Sequence, residues 1–302
     1  MVGSSIVKRL KKEGYKNLIL RDHNELDLII QNDVFEFFNK EKPDYVFLAA
    51  AKVGGILANN SYRGQFLYEN LSIQNNVIHS SHKIGVKKLL FLGSACIYPR
   101  NSPQPIKEEY LLSDYLELTN EPYAIAKIAG IKLCENYFTQ YGDNFISVMP
   151  NNLYGVNDNF NLETSHVIPA LLRKFHEAKI NDLASVEIWG SGNPKREFLI
   201  VDDLADACLF IMNYLNAKEL YSKNISHINI GSGEEVSIKE LSLLIKDVVG
   251  FQGDLIFNIN FPDGTPRKLL DNTRFNKMGF KIKTTLNDGL KTTYDWYKNT
   301  LS

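Results

Sequence analysis

Short apolar runs alternate with amphipathic segments along the first half of the sequence, and this alternation predicts the elements of the fold. Residues 1–10 place Val2, Ile6 and Leu10 on one side of a helix that Gly14 ends. Further helices are predicted at 33–40, 66–82 and 121–141. The apolar runs between them predict strands at 17–20, 45–50, 88–93 and 145–149. Such alternation predicts an α/β protein with a doubly wound parallel sheet.

The second half of the sequence has a looser rhythm and longer polar loops. Helices are predicted at 167–178, 201–215 and 237–249, and strands at 186–189 and 227–230. Long loops rich in Gly, Pro and Asn favour a smaller substrate-binding lobe over the sheet edge. The sequence therefore predicts two units, 1–150 for the parallel sheet and 151–302 for the lobe, with segments crossing between them.

Composition narrows the class of protein further. The 302 residues are long enough for one large or two unequal domains, and 44% hydrophobic and 23% charged residues with a net charge of −1 are ordinary for a globular protein. Nothing here predicts a nucleic-acid or membrane partner, and no apolar run could span a bilayer. Cys96, Cys134 and Cys208 lack metal or disulfide spacing, which predicts a cytoplasmic protein without a metal site.

Tyr123 and Lys127 form the first candidate site, since a helix brings residues four apart onto one face. Asn120 is a plausible cap for this helix, and Pro122 suits its first turn. An ammonium close to a phenol lowers the pKa of the phenol, which suits tyrosine for donating a proton to a carbonyl that is being reduced. A surface pair that merely shares a helix face fits the same spacing.

Ser94 and Cys96 follow the strand predicted at 88–93. Ligands of open α/β sheets bind beyond the carboxyl ends of the strands, so both residues fall where chemistry is expected. The Ser94 hydroxyl could bond the carbonyl oxygen that Tyr123 protonates, although a bond to local backbone is the alternative. Ser, Tyr and Lys on successive elements make a coherent carbonyl-reducing set.

With these residues in place, the chain resembles the extended short-chain dehydrogenases/reductases, which have a Rossmann-type sheet. Within that superfamily it resembles the GDP-L-fucose synthase family, the 3,5-epimerase-4-reductases of GDP-4-keto-6-deoxy-mannose. The resemblance covers essentially the whole chain. Its motifs lie at 49–56, 93–99, 120–130, 152–155, 165–172, 188–192, 196–198 and 263–268.

The resemblance implies a role for each catalytic candidate. Tyr123 is the acid for C4 reduction, Lys127 lowers its pKa and holds the nicotinamide ribose, and Ser94 steadies the carbonyl. A C4 ketone acidifies the C3 and C5 protons, and the family's Cys and His, here Cys96 and His166, invert those centres. The alternatives are a small buried residue for Cys96 and a helix-start histidine bonded to backbone for His166.

NADPH is the cofactor that the resemblance implies. Arg21 can bind the 2′-phosphate of NADP, whereas Asp22 beside it would suit the free ribose hydroxyl of NAD. Asp27 matches a position on the adenine side or caps a helix. The full set of expected cofactor contacts is Gly3, Arg21, Asp27, Leu92, Gly93, Ser94, Ala95, Lys127, Pro150, Asn151, Asn152, Leu153 and His166.

For the GDP-sugar, the family pattern points to Lys174, Trp189, Arg196 and Lys268. Cations suit a pyrophosphate, and an aromatic face can pack on base or sugar. The alternatives are a solvated Lys174, a core Trp189 and surface ion pairs for Arg196 and Lys268. The helices at 66–82 and 122–141 resemble those that pair across a two-fold axis, which implies a homodimer.

The sequence departs from the family at its beginning. Relatives have a first strand and a glycine-rich turn before the first helix, whereas this sequence opens at the last glycine of that turn, Gly3, roughly a dozen residues later. A piece of a longer natural chain is the favoured interpretation, and a truncated relative with impaired cofactor binding is the other. Three functions stay open: the epimerase-reductase, a C4 reductase of a related GDP-sugar such as a heptose, and a non-catalytic sugar-nucleotide-binding or dimerising relative.

Overall fold

The computed structural model describes residues 1–261 and 263–301; Pro262, in the predicted 261–268 loop, lies outside the described residues. The helices are α1 Val2–Lys12, α2 Gln31–Glu41, α3 Ile56–Ser61, α4 Arg63–Ile84, α5 Glu121–Tyr141, α6 Val167–Ile180, α7 Val201–Tyr214, α8 Ala217–Tyr221, α9 Ile238–Val249, α10 Thr273–Lys277 and α11 Leu286–Leu301. The strands are β1 Tyr45–Leu48, β2 Lys88–Leu92, β3 Phe145–Pro150, β4 Asn152–Tyr154, β5 Ser185–Trp189, β6 Lys195–Ile200, β7 Ile228–Ile230, β8 Glu235–Ser237, β9 Asp254–Asn258 and β10 Arg267–Lys268.

The main sheet has the strand order β1-β2-β3-β7, and every pair in it is parallel. Alternate residues of β2 enter different cores: Leu89 and Phe91 pack with α2, α4 and α5, whereas Leu90 and Leu92 pack with α1 and α7. A period of two along a strand buried on both faces is what a doubly wound sheet requires. The predicted α/β class is confirmed.

The predicted strand at 17–20 is wrong. These residues form no strand, and Ile19 and Leu20 are 40% and 50% exposed. A strand needs neighbours for its backbone hydrogen bonds, and within the described residues the outer edge of β1 has no strand paired to it. Leu18 alone reaches the core formed with α1 and α7.

A second set of strands lies in the C-terminal part of the chain. β6 pairs in parallel with β4 and β10 and antiparallel with β8, while β5 and β9 form a separate two-stranded sheet. α6, α9 and α11 cover this region through a third apolar core. The β6–β10 register sets Arg196 opposite Lys268. Two predicted substrate contacts therefore lie side by side.

The chain also returns to the main sheet after β6, because β7 pairs with β3 and α7 packs against α1. Among the helices of the described residues, none combines the length and apolar character needed to cross a membrane.

Candidate functional site

The carboxyl end of β2 builds a tight turn that presents Ser94 and Cys96. Gly93 donates its N–H to the Val148 carbonyl at 2.9 Å, and a Cβ on Gly93 would lie 2.1 Å from the Met149 methyl carbon, so a larger residue there would force the Met149 side chain to move. Ser94 begins a 3₁₀ turn over Ala95–Ile97, and its Oγ accepts the Cys96 N–H at 3.5 Å. This is the backbone bond foreseen as the alternative for Ser94. The hydroxyl proton is still available for a ligand.

Tyr123 and Lys127 lie on successive turns of α5. Lys127 is only 3% exposed, and its Nζ donates to the Leu92 carbonyl at 2.9 Å, which ties α5 to the end of β2. Its Nζ lies 5.7 Å from the centre of the Tyr123 ring, which contacts Phe66 edge-on at 6.3 Å. Asn120 is the N-cap residue of the helix as predicted, but its side chain makes no capping hydrogen bond.

The expectation that Lys127 lowers the pKa of Tyr123 is wrong in this structure. Burial raises the pKa of the phenol well above its ordinary value, and the nearby Cys96 adds to the rise. Burial also lowers the pKa of Lys127 to about 8. Desolvation is the main cause of the raised phenol pKa, and the Lys127 ammonium, which is bonded to the Leu92 carbonyl, is not among the groups that shift it. Tyr123 is thus a protonated donor at neutral pH.

Cys96 differs from the other two cysteines in its electrostatic surroundings. All three thiols are buried, and burial raises the pKa of Cys134 and of Cys208 to about 12. Burial also raises the pKa of Cys96, but the charge of Lys268 opposes the rise most strongly, followed by the Ser94 hydrogen bond and the charge of Lys127. Cys96 is therefore the thiol that lies among cations, as proton-transfer chemistry requires.

His166 lies at the N-terminus of α6, where it precedes Val167 without making a side-chain capping hydrogen bond. Its side chain reaches solvent, yet protein surrounds it on enough sides for desolvation to lower its pKa. The residues just before it contact the 49–56 motif, since Gly55 donates its N–H to the Thr164 carbonyl at 3.0 Å. The imidazole is accordingly neutral at pH 7, and its catalytic role stays a prediction.

Arg196 and Lys268 bring two cations together beside the catalytic turn. Arg196 Nη1 donates to the Thr265 carbonyl at 2.6 Å and to the Lys195 carbonyl at 2.8 Å. Burial lowers the pKa of Lys268, the negative charge of Cys96 opposes this, and the charge of Arg196 lowers it further. Two partly desolvated cations repel each other unless an anion joins them, which suits a pyrophosphate.

Lys174 and Trp189 form a second cluster with an aromatic partner that the sequence did not reveal. Lys174 Nζ lies 4.5 Å from the centre of the Trp189 ring and donates to the Glu187 carbonyl at 3.3 Å. Trp189 is 48% exposed, so its alternative as a core residue is wrong. The Phe261 ring stacks on it at 4.5 Å with an interplanar angle of 12°.

Of the predicted cofactor contacts near the start of the chain, Arg21 and Asp27 already bond to other protein groups, whereas Gly3 is open. Arg21 pairs with Glu41 at 2.8 Å, and its guanidinium lies 5.4 Å from the centre of the Phe37 ring. Asp27 accepts the Ile29 N–H at 3.0 Å in the turn before α2, whose N-cap residue is Ile30, so the alternative of a helix cap is wrong. Gly3 lies in the first turn of α1, with nothing within 4 Å of the position of a Cβ. This open helix end would suit a phosphate.

Pro150–Leu153, the predicted nicotinamide contacts, are held by a residue that sequence reasoning missed. Asn151 donates its side-chain amide to the Glu197 carboxylate, and Asn152 Nδ2 donates to the Glu197 carbonyl at 2.9 Å. Glu197 is fully buried. A carboxylate directly before the apolar run at 198–201 was the available signal.

The chain is similar to several known proteins. Residues 1–231 match the model of the NAD dependent epimerase/dehydratase family. The chain is 58% identical to GDP-L-fucose synthase 1 of Arabidopsis thaliana over 98% of this chain and 90% of the relative, and 52% identical to GDP-L-fucose synthase of Escherichia coli (strain K12) over 98% and 93%. A solved GDP-mannoheptose C4 reductase from Campylobacter jejuni with NADP bound is 45% identical, with a TM-score of 0.90 over 98% of this chain and 95% of that one.

Proposed function

The chain belongs to the NAD-dependent epimerase/dehydratase family and, within it, to the GDP-L-fucose synthases, and from this premise we propose that it converts GDP-4-keto-6-deoxy-D-mannose to GDP-L-fucose with NADPH. The observation that carries the proposal is the convergence of Ser94, Cys96 and Tyr123 at the end of β2, with Lys268 beside them. Tyr123 can then donate a proton to the ketone of a bound sugar, and Cys96 can exchange the protons on the carbon atoms beside that ketone.

Epimerisation comes first, because it depends on the C4 ketone. The carbonyl acidifies the protons on C3 and C5, so each centre loses its proton to form an enolate and regains one on the opposite face. Cys96 and His166 supply the two groups, one accepting and the other donating. Burial raises the pKa of Cys96, and the positive charges of Lys268 and Lys127 oppose this rise by favouring the thiolate form that this exchange needs.

Reduction follows at C4. Lys127 would hold the nicotinamide ribose, Asn151 and its neighbours would line the ring, and the open end of α1 at Gly3 would meet a phosphate. When bound, NADPH supplies the hydride that reduces the carbonyl carbon. Tyr123 donates its phenolic proton to the carbonyl oxygen, which the Ser94 hydroxyl orients.

NADPH is expected to be used at least about tenfold more efficiently than NADH, judged by kcat/KM. The 2′-phosphate can replace Glu41 as the partner of Arg21, whereas a free ribose hydroxyl gains less from a cation. The measurement compares both cofactors for the unsubstituted protein and for Arg21→Met, which should lose most of the preference. The control is the substitution Arg9→Met, at an arginine that is paired with Glu13 and Asp206. Equal or faster turnover with NADH would refute this preference.

The GDP-sugar is bound through its nucleotide. Arg196 and Lys268 contact the pyrophosphate, and the aromatic pair of Trp189 and Phe261 packs on the base or sugar, with Lys174 beside it. Charge-assisted bonds orient the diphosphate, and this sets the sugar ring over Cys96 and Tyr123.

One assay separates the three functions left open by the sequence. The protein is incubated with GDP-4-keto-6-deoxy-mannose and NADPH in deuterated water, and label in the product is located by NMR. We expect deuterium at C3 and C5 together with NADPH oxidation. Oxidation without label would indicate a C4 reductase, and absence of both would indicate a non-catalytic relative.

We also propose that the active form is a cytoplasmic homodimer. α4 and α5 pack along each other, with Gln74 donating to the Ala126 carbonyl at 2.5 Å, and they leave Tyr68, Ile125 and Tyr141 exposed for a two-fold partner. The three free cysteines support a reducing compartment.

A further inference from the structure

The strongest unassigned feature is a fully buried carboxylate, that of Glu197, directly beside Arg196 on β6. Successive residues of a strand point to opposite faces, so Arg196 is directed toward the substrate side while Glu197 is directed into the protein. Nothing in the proposed chemistry uses Glu197 directly. Its partners, however, come from segments on both sides of the site.

Each carboxylate oxygen of Glu197 accepts two hydrogen bonds. Oε1 accepts the Gly233 N–H at 2.6 Å and Asn272 Nδ2 at 3.3 Å. Oε2 accepts the Leu270 N–H at 3.0 Å and the side-chain amide of Asn151. All four partners are donors. Burial raises the pKa of the Glu197 carboxyl, and these four hydrogen bonds oppose that rise by favouring the ionised form.

The position of this carboxylate leaves no room for a larger neighbour. A Cβ on Gly231 would lie 2.2 Å from Oε1 of Glu197. Because the bonds on both oxygens hold the carboxylate in place, an added methyl group would displace it and break several of them together.

The segments that Glu197 joins are the ones that carry the proposed ligand contacts. Leu270 is two residues after Lys268, which pairs with Arg196 in the β6–β10 register. Asn151 belongs to the segment proposed to line the nicotinamide. From these contacts we infer that Glu197 is a positioning residue that fixes Lys268 beside Arg196, and thereby the pyrophosphate of the GDP-sugar, against the cofactor side of the site.

This inference rests on the proposed function, because it presupposes that Arg196 and Lys268 bind a diphosphate. Without the Leu270 bond, the short strand β10 loses one of its buried anchors, and the Lys268 ammonium is no longer fixed against Arg196. A flexible cation contributes less to binding than one held in place, since its ordering opposes association.

GDP binding tests the inference without requiring cofactor or turnover. Glu197→Gln places an amide NH₂ against backbone donors. This variant and Gly231→Ala should each raise the Kd for GDP about tenfold, as measured by calorimetry. Asp203→Asn is the matched control: Asp203 is also buried and accepts the Lys283 and Thr284 N–H groups at 3.1 and 2.8 Å, but these belong to another loop. It should change the Kd less than about twofold.

The outcomes separate the inference from the function on which it rests. Circular dichroism establishes that each variant is folded, and if Glu197→Gln does not fold, Gly231→Ala decides. Unchanged GDP affinity in a folded variant, or an equal loss in Asp203→Asn, would overturn the inference alone. Absence of GDP binding by the unsubstituted protein would overturn the proposed function and the inference together.

Discussion

Replacing Tyr123 with phenylalanine is expected to remove ketone reduction while proton exchange at C3 and C5 continues. The phenol is the proposed donor to the C4 oxygen, and with a pKa that burial raises further above its ordinary value it is protonated across the neutral range. Loss of a general acid costs roughly a hundredfold to ten thousandfold in rate. NADPH oxidation should fall by that amount, while deuterium should still enter C3 and C5 of the keto sugar.

The control for this variant is the same tyrosine-to-phenylalanine substitution at an exposed position. Tyr115 is 88% exposed, so Tyr115→Phe should leave both activities unchanged. If Tyr123→Phe reduced the ketone at a normal rate, another group would have to donate the proton. If it lost exchange and reduction equally, the phenol would serve the whole site rather than the final step.

The pKa of Tyr123 differs from the one predicted from the sequence, and this difference shows which properties depend only on neighbouring residues. Spacing alone places Tyr123 and Lys127 on one helix face, because the period of a helix is a property of neighbouring residues. The pKa of the phenol depends instead on Phe66 of α4 and on the turn at Cys96, which other parts of the chain bring into contact. Desolvation is a tertiary effect, and the pair alone could not reveal it.

The same distinction explains the two other departures. An apolar run at 17–20 is locally suited to a strand, but a strand forms only where another strand supplies hydrogen-bond partners. Glu197 is a charged residue in an ordinary strand pattern, and its importance comes from donors at Asn151, Gly233 and Leu270, far apart in sequence. The alternation of helices and strands, in contrast, predicted the sheet, because each element buries its own periodic face.

Replacing Cys96 with serine is expected to slow deuterium exchange at C3 and C5 about a hundredfold, while Tyr123-dependent reduction of the ketone stays largely possible. Serine keeps the shape of the side chain, but a hydroxyl ionises far less readily than a thiol. The substitution therefore removes proton transfer while the turn after β2 keeps its Ser94 hydrogen bond to the backbone N–H of residue 96. His166→Asn should have an effect of similar direction, because inversion needs a group on each face.

Cys134→Ser is the matched control for this experiment. Cys134 is also a free, buried cysteine, but it lies in the interior of α5, and no lysine charge contributes to its shifted pKa. Its substitution should leave the ratio of exchange to reduction unchanged even if stability falls. Loss of NADPH oxidation with intact exchange in Cys96→Ser would assign the thiol to reduction. Loss of exchange with reduction retained would separate the two chemistries within one site, as the lysine charges around Cys96 and the protonated Tyr123 beside it lead us to expect.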